Sequence, residues 1–445
     1  MRAKLLQPDW PTVPVARVYG RLTRVNGLVL EAVGCQLGMG DRCQIEGREG
    51  RLIEAEVVGF NKDVLCLMPI ESTHGVMPGA RVIPITEPQK LMIGDGLLGR
   101  VLDGLGQPLD LLGKLTGVQQ QTPSNSSYNP LLRQPISQAL DVGIRAINSL
   151  LPIGRGQRLG LFAGSGVGKS MLLGMMTRFT EADVVVVGLI GERGREVREF
   201  IEQTLGEEGR KRAVVIAAPA DTTPLMRLRA MVLSHEIACG FRDQGKQVLL
   251  LVDSLTRYAQ AQREIALSLG EPPATKGYPP SAFAKLPHLV EMAGNGQHPQ
   301  GTLTAFYTVL TEGDDQQDPV ADAARAILDG HVVLSRKLAE QGHFPAIDIN
   351  ASVSRLATQI ASQDNLSQSH VVRHLLSRYN EVRELLPLGG YQAGHDQEMD
   401  LAVRHYRDIA AFLRQHMNEN ISREASLTQL AQLMEVMGYE PQAVN

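Results

Sequence analysis

The chain has 445 residues, which is enough for two or three domains of ordinary size. A hydrophobic fraction of 43% and a charged fraction of 21% are typical of globular proteins and exclude a chain that is disordered throughout. The formal net charge of -4 gives no strong sign of nucleic-acid binding, although it leaves a local basic patch open, and the aromatic content of 4% disfavours an extended base-stacking platform for single strands. No apolar run approaches the roughly 18 residues of a membrane-spanning helix, and the N-terminus lacks the apolar segment of a secretory signal.

The four cysteines do not show the paired spacing that zinc sites usually have. In a chain of this length they indicate buried thiols in a reducing compartment, which predicts a cytoplasmic protein. A zinc site built from Cys35, Cys43 and a histidine stays open as the minor alternative.

Residues 15–86 predict a small β-barrel, and we place this first domain at residues 1–88. Asn26 and Gly27 tolerate positive φ and predict a hairpin with a type I′ turn. Short β-type runs lie close together and are separated by glycine-containing turns. These runs are Val15–Tyr19, Leu28–Val33, Ile53–Val58 and Val64–Pro69.

Residues 136–356 alternate between apolar strand-like runs and helical patterns. This alternation predicts βαβ crossovers and a mainly parallel sheet that is covered by helices on both faces. A stretch rich in Gln, Ser and Pro, Thr116–Pro135, predicts an exposed connection before it. We place the α/β core at residues 89–362. Its strand-like runs are Arg158–Phe162, Val184–Leu189, Ala213–Ala217, Val248–Val252 and Thr302–Val309.

The pattern changes to helical spacing from Gln363 onward, where apolar residues recur at intervals of three and four. Gly389 and Gly390 separate two helical stretches. We therefore predict a C-terminal helical domain at residues 363–445. The recurring residues are Val371, Leu375, Leu376, Tyr379, Val382, Ala402, Tyr406, Ile409, Ala410 and Leu413.

A glycine-rich loop carries the strongest functional signal of the sequence. It follows an apolar strand and precedes a helix-like run, which is the context that a Walker A loop, or P-loop, requires. Backbone N–H groups of such a loop surround phosphate oxygens, and Lys169 is expected to reach the β- and γ-phosphates while Ser170 coordinates Mg²⁺. The predicted nucleotide-binding residues of the loop are Ala163, Gly164, Ser165, Gly166, Val167, Gly168, Lys169 and Ser170.

Ala163 stands where the strict pattern has glycine. Its methyl group is compatible with the loop if φ at this residue is negative. The alternative is an ordinary glycine-rich turn before a helix, but Gly168, Lys169 and Ser170 at this spacing argue against it.

Two acidic residues are candidates to complete the site. Asp253 ends the apolar run 248–252, as in a Walker B motif, and is expected to bind Mg²⁺ through water. Its alternative is the N-cap of the next helix. Glu192 follows the run 184–190 and is a candidate to polarise the attacking water at the same sheet edge. The charge pattern of its neighbours alone favours a surface ion pair over this role.

Longer motifs resemble the RecA-type ring ATPases of the rotary family, in the type III secretion branch, and are similar to the flagellum-specific export ATPases. This resemblance covers nearly the whole chain. It implies an N-terminal β-barrel, a RecA-like α/β core with a P-loop and a C-terminal helical domain. It also implies Mg²⁺-dependent ATP hydrolysis by a homohexameric ring. The motifs are residues 98–108, 152–158, 253–266, 270–281, 311–319 and 326–331.

The resemblance also implies roles for single residues. Glu192 stands at the family's catalytic glutamate, and Arg355 at an arginine finger that reaches the neighbouring subunit's γ-phosphate. Phe344 matches an aromatic ring that packs against adenine. Arg193 and Arg257 match cationic positions near the phosphates. Without the resemblance, the favoured explanations are a surface arginine for Arg355 and a core residue for Phe344.

The implied partners belong to protein export. They are the flagellar export apparatus, a regulatory stator-like protein, export substrates with their chaperones, and a membrane-embedded export gate. The chain would act in the cytoplasm, peripherally at the cytoplasmic face of the inner membrane. Flagellar relatives often carry an amphipathic docking helix at the N-terminus. Here only about 14 residues precede the predicted barrel, and Pro8, Pro11 and Pro14 argue against a long helix there.

Three other functions stay open. The ATPase of a virulence-type injectisome would use the same chemistry on other substrates. A RecA-like motor on nucleic acid would bind single strands through its barrel, but Tyr19 and Phe60 are the only aromatic residues of region 15–86. A non-catalytic ring subunit is disfavoured because Glu192 accompanies an intact P-loop.

Overall fold

The computed structural model describes residues 18–87, 90–121, 129–297, 299–311 and 318–439. The chain divides into two compact units, one up to residue 88 and one from residue 89. The prolines predicted to prevent a long N-terminal helix and the beginning of the run Val15–Tyr19 lie outside the described residues.

The first unit is a closed barrel of six antiparallel strands. Alternate side chains point inward, and Cys43, Ile45, Ala55 and Val57 are among those that fill the interior. The barrel confirms the predicted fold of this region, although its first strand begins only after Tyr19. The strands are β1 (Gly20–Asn26), β2 (Val29–Val33), β3 (Arg42–Glu46), β4 (Leu52–Asn61), β5 (Val64–Pro69) and β6 (Arg81–Pro84), in the spatial order β1-β2-β5-β4-β3-β6.

The hairpin between β1 and β2 is present, but its predicted turn type is wrong. Asn26 pairs with Val29, so Gly27 and Leu28 are the two central residues of the turn. Gly27 has a φ of +59°, whereas Leu28 does not have a positive φ. A type I′ turn needs positive φ at both central residues, which a side chain as large as leucine disfavours. Glycine at the first central position alone is the pattern of a type II′ turn.

The second unit is built on an eight-stranded sheet. Every residue of Val184–Ile190 and Ala213–Ala218 is buried, which requires cover on both faces and confirms the predicted core. The strands of this unit are β7 (Leu91–Ile93), β8 (Val101–Leu102), β9 (Gln119–Gln121), β10 (Ala139–Leu140), β11 (Ile153–Gly154), β12 (Arg158–Ala163), β13 (Val184–Ile190), β14 (Ala213–Ala218), β15 (Gln247–Asp253), β16 (Thr302–Leu310), β17 (Gly330–Leu334) and β18 (Ile347–Ser354).

The spatial order of the main sheet is β18-β17-β12-β16-β15-β13-β14-β8. Neighbouring strands run parallel except for β17 and β18, which pair antiparallel at one edge. The carboxyl ends of β12, β16, β15 and β13 therefore lie side by side. Strand β9 pairs with β7, so part of the predicted connection Thr116–Pro135 is a short strand.

The helices of the second unit connect these strands and form a bundle at the C-terminal end. They are α1 (Arg145–Leu150), α2 (Lys169–Phe179), α3 (Gly194–Glu199), α4 (Gly206–Lys211), α5 (Pro224–Asp243), α6 (Leu255–Ser268), α7 (Pro280–Glu291), α8 (Pro319–Ile327), α9 (Arg336–Glu340), α10 (Ala357–Ile360), α11 (Gln363–Val382), α12 (Gln397–Leu413) and α13 (Arg423–Val436). A π-helical turn at Phe200–Leu205 lies between α3 and α4.

The predicted helical domain is present as α11, α12 and α13, which pack on one another and on α1. Tyr379 of α11 stacks on Tyr406 of α12, with ring centroids 3.6 Å apart. Arg373 joins α11 to the core because its guanidinium donates hydrogen bonds to the carbonyl oxygens of Ile349, Ser352 and Leu150.

A buried ion pair organises the region between β8 and β9. Arg100 donates to both carboxylate oxygens of Asp110, at 2.7 and 3.0 Å, and the backbone N–H groups of Val101 and Leu112 donate to the same carboxylate. Burial alone would raise the pKa of Asp110, but the hydrogen bonds from Arg100 and the backbone lower it to about 2.

We expect Asp110→Ala to destabilise the protein by about 3 kcal/mol at pH 7, because removing one partner leaves a buried charge unpaired. The folded-state pKa of Asp110 is depressed, so its contribution is present above pH 4 and is lost as the pH falls towards 2. Urea unfolding at several pH values measures both effects. Asp95→Ala, at an exposed position shortly before β8, is the control and should change stability little. An equal loss in both variants would contradict the role of the ion pair.

Candidate functional site

The predicted phosphate-binding loop joins β12 to α2. Ala163 is the last residue of β12, and Lys169 is the first residue of α2. Gly166 and Gly168 have φ values of +78° and +91°, which glycine adopts without strain. Ala163 is buried and does not have a positive φ, so its methyl group is compatible with the loop. The loop thus has the strand–loop–helix context of a P-loop.

The Lys169 ammonium lies between two carboxylates. Its Nζ donates to Asp253 Oδ1 at 2.6 Å and to Glu192 Oε1 at 3.4 Å. The side chains of Lys169 and Glu192 are each 12% exposed, and that of Asp253 is 6% exposed. Three residues from separate parts of the sequence therefore meet at the carboxyl edge of the sheet, as the sequence predicts.

Burial disfavours the charged form of all three groups, and their mutual contacts oppose this effect. Burial alone would lower the pKa of Lys169, but the charges of Asp253 and Glu192 raise it above its ordinary value. Burial raises the pKa of Glu192 and of Asp253, and the Lys169 charge counteracts both rises. Lys169 is thus the cation that favours ionisation of both acids.

Asp253 does not cap the following helix. Ser254 does so, because its Oγ accepts a hydrogen bond from the backbone N–H of Arg257. The Asp253 carboxylate instead accepts from Lys169 and from the hydroxyl of Thr308, at 2.7 Å. Thr308 lies on β16, which runs between β12, the strand that leads into the phosphate loop, and β15, the strand that ends at Asp253. The sequence did not indicate this residue, because only the strand order places it there.

Glu192 is positioned by the turn that follows β13. Gly191 has a φ of +72°, and a Cβ at this position would lie 2.9 Å from Cβ of Arg257, so only glycine fits. The carbonyl oxygen of Glu192 accepts a hydrogen bond from the backbone N–H of Ala220. The low exposure of the Glu192 side chain rules out the surface ion pair as its main role. Arg257 lies close enough for its charge to oppose the rise in the Glu192 pKa.

Two further predicted residues differ in how close they come to this cluster. The side chain of Arg193 is 84% exposed and pairs with Glu196 rather than with the cluster. Phe344 lies beside the loop, because a Cβ on Gly168 would be 3.5 Å from its ring. Phe344 is 46% exposed, so it is not a core residue.

Arg355 does not join the cluster of its own chain. It follows β18, and its preceding residue Ser354 pairs with Gly330 at the start of β17. The loop begins beside Leu334 at the other end of β17, about 13 Å further along the strand. Arg355 is exposed, and its Nη2 donates to the carbonyl oxygen of Arg325. Within one chain, the backbone at Arg355 and the start of the phosphate loop therefore lie at opposite ends of β17.

The oxygen atoms near the loop fit a small, hard cation. Ser170 is exposed at the start of α2, and Asp253 presents a buried carboxylate nearby. Within the part of the chain that the structure describes, no group of three or more His, Cys, Asp or Glu residues could hold a metal ion. Mg²⁺ ordinarily uses one or two protein oxygens together with substrate phosphates and water, so two ligands suffice here. The minor alternative of a zinc site at Cys35 and Cys43 gains no support, since these two cysteines belong to no such group among the described residues.

No helix among the described residues is long and apolar enough to cross a bilayer.

Family models match three consecutive parts of the chain. Residues 22–85 match the beta-barrel domain of the ATP synthase alpha/beta family, and residues 143–354 match its nucleotide-binding domain. Residues 361–432 match the C-terminal domain of the type III secretion ATPase EscN. The three matches correspond to the barrel, the sheet with its phosphate loop, and the helical bundle.

Individual relatives cover nearly the whole chain. The flagellum-specific ATP synthase of Pseudomonas aeruginosa is 58% identical over 95% of this chain and 94% of its own. The type 3 secretion system ATPase of Xanthomonas euvesicatoria is 44% identical over 95% of each chain. The solved structure of assembled EscN in complex with its central stalk EscO, from enteropathogenic E. coli, superposes with a TM-score of 0.85. It is 39% identical and covers 93% of this chain and 99% of that chain.

Proposed function

The chain belongs to the ATP synthase alpha/beta family, among the flagellum-specific and type III secretion ATPases, and we propose that it hydrolyses Mg-ATP in a homohexameric ring that energises flagellar protein export. Its activity as an ATPase follows from this membership. The roles of single residues, the metal, the ring and the export partners are the parts that we propose here.

The contact of Lys169 with both Asp253 and Glu192 is the observation that carries this proposal. A phosphate-binding lysine beside two buried acids supplies a cation for the phosphates, a carboxylate for the metal and a carboxylate for water. Lys169 would bind the β- and γ-phosphates, and Glu192 would orient and polarise the attacking water. Phe344 would pack on the adenine ring. Arg257, next to Glu192, would hold that carboxylate in place.

The metal is proposed from the same contacts. A nucleotide that draws Lys169 towards its phosphates takes a positive charge away from Asp253 and Glu192. Two buried carboxylates without a cation are costly, so a divalent ion that arrives with the nucleotide restores the balance. Ser170 and Asp253 would hold Mg²⁺, the latter through water. When bound, the ion neutralises charge that develops on the phosphoryl oxygens.

Thr308 gives a test of the metal site that leaves the phosphate loop intact. We expect Thr308→Val to weaken the apparent affinity for Mg²⁺ by about 10- to 100-fold, because Asp253 loses the hydrogen bond that orients it. Steady-state hydrolysis against Mg²⁺ concentration at saturating ATP measures this change. Thr302→Val, at the opposite end of β16, is the matched control. An unchanged Mg²⁺ affinity in Thr308→Val would contradict the role of Thr308 in orienting Asp253 at the metal site.

The export function is tested in a flagellated bacterium that lacks its own flagellum-specific ATPase. We expect this chain to restore motility and secretion of flagellar proteins, and Lys169→Ala to restore neither. The higher identity to a flagellar relative than to an injectisome relative, 58% against 44%, favours this branch. Restored injectisome secretion without motility would favour the injectisome branch.

Fractionation of the same strain tests whether the chain works in the cytoplasm and at the inner membrane.

The partners are proposed from the relatives. EscN was solved in its assembled state with its central stalk EscO, which suggests a ring with a stalk for this chain as well. A flagellar export gate, a stator-like regulator, and substrates with their chaperones complete the proposed partners. RNA-stimulated hydrolysis that salt abolishes would instead revive a nucleic-acid motor.

A further inference from the structure

Arg355 is supported by a short segment of its own chain, residues 325–330, which we call the finger support. The backbone N–H of Arg355 donates to the carbonyl oxygen of Asp329, and its guanidinium donates to the carbonyl oxygen of Arg325 at 2.9 Å. The two ends of the finger support thus hold the backbone and the side chain of Arg355. The position of the guanidinium depends on where this segment lies.

The finger support is in turn fixed to β12, the strand that leads into the phosphate loop. At one end of the strand, Arg158 donates to the carboxylate of Asp329 from its backbone N–H and its Nε, both at 3.0 Å. At the other end, the guanidinium of Arg325 lies over the ring of Phe162, 4.8 Å from its centroid. Phe162 is buried and directly precedes Ala163, so the cation–π contact joins the support to the first residue of the loop.

His331 completes the packing around this contact. Its ring meets Phe162 edge-on, with centroids 5.5 Å apart, and its Nε2 lies 3.0 Å from the carbonyl oxygen of Ala351 on β18. Phe162 is therefore held between Arg325 and His331. Asp322 also pairs with Arg325, but its side chain is 63% exposed, so this ion pair contributes little.

We infer that Arg325 is a positioning residue for Arg355, and that its contact with Phe162 places the finger for the neighbouring subunit's site. This inference rests on the proposed role of Arg355 in the adjacent subunit and goes beyond it by naming what holds the finger. Without the cation–π contact, the carbonyl oxygen of Arg325 can shift. A misplacement of the order of 1 Å is enough to slow a reaction by about 100-fold.

The first test is the replacement Arg325→Met, which keeps the aliphatic stem and removes the charge. We expect kcat to fall by about 10- to 100-fold in the assembled protein, with the KM for ATP little changed. Arg325→Lys, which retains a cation over the ring, should recover part of the rate. Asp322→Asn removes only the exposed ion pair and should behave as the wild type. Wild-type turnover in Arg325→Met would overturn the inference.

The second test asks which site is affected, by assembling mixed rings from two slow variants. Glu192→Gln has an intact finger, and Arg325→Met has an intact Glu192. Some interfaces in a mixed ring therefore combine an intact Glu192 of one subunit with an intact finger of its neighbour. In an equal mixture about a quarter of the interfaces do so, and we expect about a quarter of wild-type activity. A mixture that stays as slow as its components would place the Arg325 defect in its own site and overturn the inference.

Arg355→Ala mixed with Glu192→Gln separates this inference from the proposed function. If this mixture gains activity but the mixture of Arg325→Met with Glu192→Gln does not, Arg355 remains the finger and Arg325 is rejected as its support. No gain in either mixture rejects the shared site itself, and the inference with it. If Arg325→Met does not assemble, Phe162→Leu is mixed with Glu192→Gln instead, because it removes the aromatic partner of the same cation–π contact.

Discussion

Replacing Glu192 with Gln should reduce ATP turnover by about 10²- to 10⁴-fold, the usual contribution of a general base, while ATP binding stays largely intact. Gln keeps the size of the side chain but cannot carry the negative charge that polarises water. Lys169 also retains its closer partner, Asp253, at 2.6 Å, so the phosphate loop should keep its shape. Steady-state hydrolysis and binding of a fluorescent ATP analogue measure the two properties separately.

The control for this variant is Glu199→Gln on the following helix. Glu199 makes an exposed ion pair with Arg195, whose loss should change stability little. Its turnover should match the wild type. Normal turnover in Glu192→Gln would remove this residue from the mechanism and leave Asp253 as the remaining acid beside Lys169.

Replacing Arg355 with Ala should slow hydrolysis by about 10³- to 10⁵-fold, the effect of losing an arginine finger, without preventing assembly. The backbone before Arg355 pairs with Gly330, about 13 Å along β17 from Leu334, where the phosphate loop of the same chain begins, so the effect of Arg355 should depend on a neighbouring copy. For the wild type, specific activity should rise with protein concentration as a hexamer-sized species forms. Hydrolysis and light scattering, recorded together with and without Mg²⁺, measure both.

Arg407→Ala is the matched control, since this arginine is exposed on α12 in the helical bundle. It should assemble and turn over as the wild type does. If activity does not vary with concentration and Arg355→Ala turns over normally, each chain has a self-contained site. The assignment of the finger, and the ring mechanism with it, would then be abandoned.

Those parts of the fold that depend on local sequence could be predicted. The core strands from β12 to β16 lie within one or two residues of the predicted runs, because fully buried strands consist of continuous apolar residues. The turn at Gly27 was predicted as a hairpin but assigned the wrong type, because the register of β1 and β2 decides which residues are central. Pairing of Gln119–Gln121 with β7 could not be predicted either, since polar residues give no strand pattern.

The candidate site divides in the same way. Lys169, Asp253 and Glu192 each follow or end an apolar strand, so their common edge could be expected from the sequence. Thr308 could not, because it lies within a strand and matters only through the strand order. Arg325 and Phe162 were also missed, because 163 residues separate them and neither carries a motif of its own. Their contact exists only once β12 and α8 are placed.

Because the edge strand β18 runs antiparallel to β17, the end of β18 and the phosphate loop lie at opposite ends of the sheet. Each copy has an acceptor end, where β12 opens into the phosphate loop, and a donor end, where Arg355 follows β18. Contacts of this head-to-tail kind either close on themselves or continue without limit, and an open chain of copies always leaves one terminal site unfinished. Closure alone completes every site. On the proposed arrangement, a change at the loop of one copy passes through β12 to the arginine that serves the next. Successive hydrolysis events would then follow one another around the ring with a fixed handedness, encoded in the fold of a single chain.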